Sequence, residues 1–136
     1  MMVILCVDDA GGMTFNSRRV SRDREVCADV ARLTRGARLY MSEYSAKLFS
    51  DTEADIFVSE SFLDEAGAGD YCFVEDRALL PYVDAIERVI IYRWNRSYPS
   101  ETRFDIDLVA HGFKICSSLD MAGYSHEKIT KEIYAR

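Results

Sequence analysis

Apolar runs separated by polar, glycine-containing segments recur along the whole sequence. The first run, MMVILCV at residues 1–7, contains no charged residue, which is typical of a strand buried on both faces of a sheet. Later runs are rich in β-branched and aromatic residues and predict further strands. These runs are ARLYM (37–41), ADIFVS (54–59), YCFVE (71–75), RVIIYRW (88–94) and GFKICSS (112–118).

Helical spacing of apolar residues occurs between these strands. In the first predicted helix, Ser21 is placed to cap the start and Gly36 to end it. The apolar positions of this helix recur at intervals of three and four residues, and they are Val26, Val30 and Leu33. Two more helices are predicted at EYSAKLFS (43–50) and at RALLPYVDAIE (77–87), where Pro81 shortens or kinks the helix.

The last segment, HEKITKEIYAR at residues 126–136, is compatible with a helix or a strand. The alternation of Ile129, Lys131 and Ile133 favours a strand, paired with GFKICSS as a hairpin. Strands that alternate with helices predict an α/β fold. We therefore expect one domain over residues 1–136, with a mostly parallel open sheet, helices on both faces and a C-terminal antiparallel hairpin.

This architecture predicts where a ligand would bind. In open α/β sheets, ligands bind beyond the carboxyl ends of the strands. The segment VDDAGGMTFN (7–16) follows the first strand and is predicted to be a loop. A ligand site is therefore expected beside this segment.

Composition excludes several classes of function. A net charge of −6 argues against general nucleic-acid binding, which needs a basic surface. No apolar run approaches the ~20 residues of a membrane span. The two histidines lack the CxxC or HxH spacing of a zinc site, so no metal is expected. The cysteines are far apart in apolar segments, which predicts buried thiols in a reducing cytoplasm, and they are Cys6, Cys27, Cys72 and Cys116.

An ordered series of motifs resembles the dihydrofolate reductase family. It comprises VILCVDDAGGMTFN (3–16), RLTRG (32–36), ARLYM (37–41), ETRF (101–104) and the closing hairpin. The resemblance spans most of the chain and implies a dihydrofolate reductase-like fold. It also implies a cleft that, in the family, binds NADPH and a pterin substrate.

The sequence departs from that family at the positions that carry its chemistry. Val26 stands where the resemblance places the carboxylate that supports pterin protonation. Glu43 replaces an arginine that would hold cofactor phosphates, and Glu75 with Asp76 replaces a Gly-Gly pair next to the pyrophosphate. Like charges in a cleft of low dielectric repel one another strongly. We therefore expect no bound cofactor, with NADPH as the alternative.

Candidate ligand-binding residues cluster around the first loop. Arg18 and Arg19 precede Ser21 in an otherwise acidic protein, and guanidinium groups with a helix start would attract a small anion. Asn16 is expected to order the loop. The alternative for the arginines is a solvated turn that pairs with neighbouring acids.

Two further candidates also have structural alternatives. Asp8 is a candidate ligand-binding residue, although short acids in turns more often bind backbone amides. Tyr92 falls near the family's pterin-contacting threonine, and a core tyrosine is the alternative.

Three functions remain open from the sequence. The first is a dihydrofolate reductase-like protein that lacks reductase activity and binds a small anionic metabolite. The second is a divergent NAD(P)H-dependent reductase of a pterin-like or other small substrate, with Glu25 or Asp8 as the proton relay. The third is a non-catalytic interaction protein that forms homo-oligomers.

Overall fold

The computed structural model describes all residues from Met1 to Arg136. Ten strands and three helices follow one another along the chain. They are β1 (Met2–Val7), β2 (Gly12–Phe15), β3 (Arg18–Arg19), α1 (Arg24–Leu33), β4 (Leu39–Met41), α2 (Glu43–Ala46), β5 (Ile56–Val58), α3 (Phe62–Glu65), β6 (Tyr71–Phe73), β7 (Arg88–Arg93), β8 (Thr102–Arg103), β9 (Lys114–Met121) and β10 (Ile129–Ala135). Short 3₁₀ helices occupy Lys47–Phe49 and Leu80–Ala85.

Seven of the strands form one mixed sheet in the order β5-β4-β6-β1-β7-β10-β9. The first five strands in this order, β5, β4, β6, β1 and β7, are parallel to one another. Strands β10 and β9 are each antiparallel to their neighbours. The predicted α/β fold with a C-terminal antiparallel hairpin is confirmed. None of the helices has the length and apolar character needed to cross a membrane.

Strand β1 lies at the centre of this sheet, between β6 and β7. Its side chains alternate between two cores because successive residues of a strand point to opposite faces. Val3 and Leu5 belong to one core, and Ile4 belongs to the other, together with Val26 and Val30 of α1. Burial on both faces explains the uninterrupted apolar run from which this strand was predicted.

Helix α1 begins two residues later than the sequence pattern indicated. Asp23, and not Ser21, is the N-cap, because its carboxylate accepts a hydrogen bond from the backbone N–H of Glu25. The prediction that Ser21 caps this helix is therefore wrong. The helix ends at Leu33, and Gly36 lies in the following turn with φ of 81°.

The segment after β1 is more ordered than the predicted loop. Residues Gly12–Phe15 form β2, which pairs with β3 and β8 in a second, three-stranded sheet. Asn16 and Ser17 make the turn between β2 and β3 with φ of 51° and 61°. Asparagine tolerates this left-handed conformation better than most residues.

Three local predictions need correction. Residues 77–87 do not form an α-helix, and a 3₁₀ helix covers only Leu80–Ala85, with the helix-breaking Pro81 in its first turn. The predicted helix at 43–50 divides into α2 and a 3₁₀ helix, and α3 was not predicted. Cys116 is exposed on the edge strand β9, so the prediction of buried thiols fails there.

Candidate functional site

A narrow cleft opens at the carboxyl ends of β1, β6 and β7. Ser21, Arg22, Glu75 and Trp94 line it, with Cys6 at its base. It encloses about 20 Å³ of free volume, which is room for about one water molecule. A larger groove of about 450 Å³ lies between α1 and residues 51–55, away from the strand ends. The narrow cleft is therefore the candidate site, because polar side chains converge on it.

One half of the cleft contains a bidentate ion pair. Arg19 Nε lies 2.8 Å from Glu75 Oε2, and one terminal nitrogen of Arg19 lies 3.0 Å from Glu75 Oε1. Ser45 Oγ donates to the same carboxylate at 2.7 Å, and the guanidinium stacks 4.2 Å above the ring of Tyr44. Burial lowers the pKa of Arg19, but the hydrogen bond and charge of Glu75 outweigh it and raise that pKa. The charge of Arg19 is therefore already compensated.

The other half contains a chain of hydrogen bonds from a hydroxyl to a carboxylate. Ser21 Oγ lies 2.8 Å from His126 Nε2, and His126 Nδ1 lies 2.9 Å from Asp23 Oδ2. Tyr98 brings its hydroxyl to 3.4 Å from both Ser21 Oγ and His126 Nε2. Trp94 stacks on the imidazole with 4.5 Å between ring centroids. These contacts fix the plane of the imidazole ring.

Asp23 holds this chain to the fold. Its carboxylate accepts backbone hydrogen bonds from Glu25, Tyr124, Ser125 and His126 in addition to the imidazole. Burial by itself would raise the pKa of Asp23. The hydrogen bonds, that from the Tyr124 N–H foremost, outweigh burial and lower this pKa to about 2. Asp23 is therefore ionised at neutral pH, and it joins the start of α1 to the turn between β9 and β10.

Cys6 lies beside these groups at the base of the cleft. Burial, followed by the negative charge of Glu75, raises the pKa of Cys6 well above its ordinary value. Nucleophilic cysteines need a lowered pKa. Cys6 is thus a neutral thiol that shapes the cleft.

Comparison with known proteins identifies the fold. No protein-family model matches this sequence, and no curated protein sequence matches it. Solved structures do match, among them one described as dihydrofolate reductase from Enterococcus faecalis complexed with NADP(H) and RAB-propyl. That match has a TM-score of 0.67 and 12% sequence identity, and it covers 99% of this chain and 96% of the other. The chain has a dihydrofolate reductase-like fold. At this identity the likeness establishes the fold and not the reaction.

Within the dihydrofolate reductase-like fold, the predicted ligand-binding residues separate into two groups. Ser21 lines the cleft, and Arg19 reaches it through its bond to Glu75. Arg18 is exposed on β3, and Asn16 is exposed in the turn that follows β2. Only part of the predicted set therefore converges on one place.

The other two candidates bind the protein itself. Asp8 accepts hydrogen bonds from the backbone N–H groups of Ala10, Gly12 and Tyr98. Burial raises its pKa, but these hydrogen bonds, that of Tyr98 foremost, lower it. Tyr92 is fully buried, and its hydroxyl donates to Asp29 at 2.6 Å. These contacts agree with the structural alternatives for both residues.

Sequence reasoning assigned no role to His126 or Asp23 and expected Glu75 only to repel phosphate. His126 lies 105 residues from Ser21, and Glu75 lies 56 residues from Arg19, so no local spacing connects them. One signal was available, since Asp23 is as good a helix cap as Ser21 and stands directly before the helical pattern.

Replacing Tyr92 with phenylalanine tests whether this hydroxyl serves the core. We expect the free energy of unfolding to fall by about 1.5–3 kcal/mol, because the charged carboxylate of Asp29 loses the hydrogen bond that the Tyr92 hydroxyl donates to it. Urea denaturation measures the change. Tyr71→Phe is the matched control, because the Tyr71 hydroxyl has no hydrogen bond within the chain and should change stability little.

Proposed function

We propose that this protein is a dihydrofolate reductase-like protein without dihydrofolate reductase activity, and that its cleft binds a small anionic metabolite. The bidentate pair of Arg19 and Glu75 carries the proposal. The carboxylate of Glu75 already binds the guanidinium of Arg19, so a cofactor phosphate would have to displace Glu75 to bind there.

Electrostatics support the absence of NADPH. Glu75 follows β6, at the position where the family resemblance places a Gly-Gly pair, and its side chain is only 9% exposed. A phosphate brought beside this carboxylate would meet a like charge in a region of low dielectric, where water screens it poorly. The exposed Asp76 and Glu43 add negative charge at two further positions that the resemblance assigns to phosphate binding.

The proton-handling carboxylate of the family also has no counterpart in the cleft. Val26, which the resemblance aligns with it, is 2% exposed and packs in the apolar core beneath the cleft. Its neighbour Glu25 lies roughly 100° away around the helix. A pterin ring in this cleft would therefore lack a carboxylate at the position from which the family supports protonation.

The charges at the rim favour an anionic ligand. Arg22 lines the cleft and forms no ion pair, and Arg18 also forms none. Arg24 lies over the ring of Tyr124 at 3.4 Å, again without an acidic partner. Unpaired guanidinium groups bind carboxylates and phosphates through charge-assisted hydrogen bonds. A small anion would be held by these exposed groups at the mouth of the cleft, because the volume inside admits only about one water molecule.

The test is a spectrophotometric assay with NADPH and dihydrofolate at high concentrations, with an active dihydrofolate reductase as positive control. We expect no decrease in absorbance above the blank for this protein, and no shift in its melting temperature with NADPH. A methotrexate-sensitive decrease would overturn the proposal. Native mass spectrometry of freshly purified protein then identifies any bound anion, and Arg22→Ala should release it.

A further inference from the structure

We propose that Ser21 is a nucleophile that His126 activates, and that its partly exposed hydroxyl receives the acyl group of a small ester substrate at the mouth of the cleft. The order of groups is hydroxyl, imidazole and buried carboxylate, with 2.8 Å and 2.9 Å between successive partners. This is the arrangement by which serine hydrolases activate a hydroxyl. The inference rests on the proposed function in one respect, because it takes the same cleft as the ligand site.

The carboxylate determines which nitrogen of His126 carries the proton. Asp23 is ionised and accepts hydrogen bonds only, so Nδ1 of the neutral imidazole is the protonated nitrogen. Nε2 then presents its lone pair to Ser21 Oγ. Stacking on Trp94 and the backbone contacts of Asp23 hold the ring in this orientation.

Ester hydrolysis by this route needs only the substrate, water and groups of this chain. Ser21 Oγ attacks the carbonyl carbon of the ester, and its proton moves to His126 Nε2. The bond from the acyl carbon to the leaving oxygen breaks, and the leaving alcohol takes the proton from Nε2. Water then attacks the acylated serine in the same manner, which releases the carboxylic acid and restores the Ser21 hydroxyl.

Two groups can stabilise the oxyanion that forms in this step. The hydroxyl of Tyr98 lies 3.4 Å from Ser21 Oγ, so it is close to the position of the reacting carbonyl. The backbone N–H of Arg22, the residue after the nucleophile, donates to no acceptor within the chain. Donors of this kind contribute a large part of catalysis in acyl transfer.

A purely structural role explains Asp23 and His126 more readily than it explains Ser21. Asp23 alone joins α1 to the turn at 124–126 through its backbone contacts. Ser21 adds only one side-chain hydrogen bond to that connection, and it is partly exposed where it lines the cleft. A hydroxyl at the surface can bind water instead, so its alignment on a buried imidazole favours chemistry.

An alkyl fluorophosphonate tests the nucleophile directly, because attack by an activated serine forms a phosphorus–oxygen bond and expels fluoride. We expect the full-length protein to gain one adduct by intact mass spectrometry, and peptide mapping to place it on Ser21. Ser21→Ala should gain none. His126→Gln should react at least about 100-fold more slowly, the usual loss when a general base is removed.

The matched control is Ser125→Ala, a neighbouring exposed serine whose hydroxyl makes no hydrogen bond, and it should react at the wild-type rate. Circular dichroism melting measures whether each variant is folded. If His126→Gln does not fold, the comparison of wild type with Ser21→Ala tests the nucleophile.

Absence of an adduct from the wild type, an adduct at another residue, or equal labelling of Ser21→Ala would overturn the nucleophile. None of these results bears on the NADPH assay, so the two proposals fail separately. The same variants with p-nitrophenyl acetate report turnover. Release of p-nitrophenol by the wild type and not by Ser21→Ala supports the full cycle, and equal release by both contradicts it.

Discussion

Replacing Asp23 with alanine is expected to lower the free energy of unfolding by about 3–5 kcal/mol, because several buried donors lose their acceptor at about 1–3 kcal/mol each. Its carboxylate is the acceptor for four backbone N–H groups and the His126 imidazole, and its side chain is 0% exposed. Alanine would leave these donors without partners and would also remove the cap of α1. Urea denaturation followed by circular dichroism measures the loss.

Glu127→Ala is the control for Asp23, because it removes an exposed carboxylate beside the same turn and should leave stability nearly unchanged. Acid gives an independent check. The pKa of Asp23 falls from 3.8 to about 2 in the folded protein, so its contribution is fully present above pH 3.8 and is lost as the pH falls towards 2. The alanine variant should lack this part of the acid sensitivity. An unchanged acid profile would contradict the role of Asp23.

Replacing Glu75 with alanine is expected to cost about 3 kcal/mol of stability in low-phosphate buffer, because the 15%-exposed Arg19 side chain then keeps its charge without a partner. Inorganic phosphate should restore much of this loss, because Arg19 and the hydroxyl of Ser45 become free to bind an anion. Thermal melting with increasing phosphate, against chloride at equal ionic strength, measures the recovery.

Phosphate should stabilise wild type less than Glu75→Ala, because Glu75 occupies the Arg19 guanidinium and leaves only the exposed arginines of the rim to bind it. Glu60→Ala is the matched control: it breaks an exposed ion pair with Arg77 and should have a much smaller effect, without recovery in phosphate. If phosphate stabilised wild type and Glu75→Ala equally, the chain's own carboxylate would not be the group that excludes anions.

The sequence predicts the parts of the fold that periodicity determines. Strand β1 is recognisable because it is buried on both faces, and β10 because its residues alternate. The strands of the second sheet are two to four residues long, too short for a pattern, and β2 depends on pairing with β8 far along the chain. The 3₁₀ helix at Leu80–Ala85 was predicted as part of an α-helix, because the residues of the two helix types are similar in composition.

The location of the candidate site follows from topology, but its contacts do not. Parallel strands indicated the cleft, and Ser21 was named because it was expected to begin the first helix beside Arg18 and Arg19. Its partner His126 comes from the closing hairpin, and the partner of Arg19 comes from the end of β6. Such pairs are brought together only by the tertiary fold, so one sequence read along its length cannot reveal them.

The central position of β1 has a consequence for the synthesis of the protein. This strand is synthesised before both of its neighbours, because β6 begins at Tyr71 and the longer neighbour β7 begins only at Arg88. At ~5–20 residues per second, β1 stays without its β7 partner for about 4 to 17 s. During that interval the nascent chain exposes the apolar segment MVILCV, a composition that favours intermolecular strand pairing. The pairing of β1 with β7 therefore removes an aggregation-prone segment from contact with other chains only after most of the domain has been made.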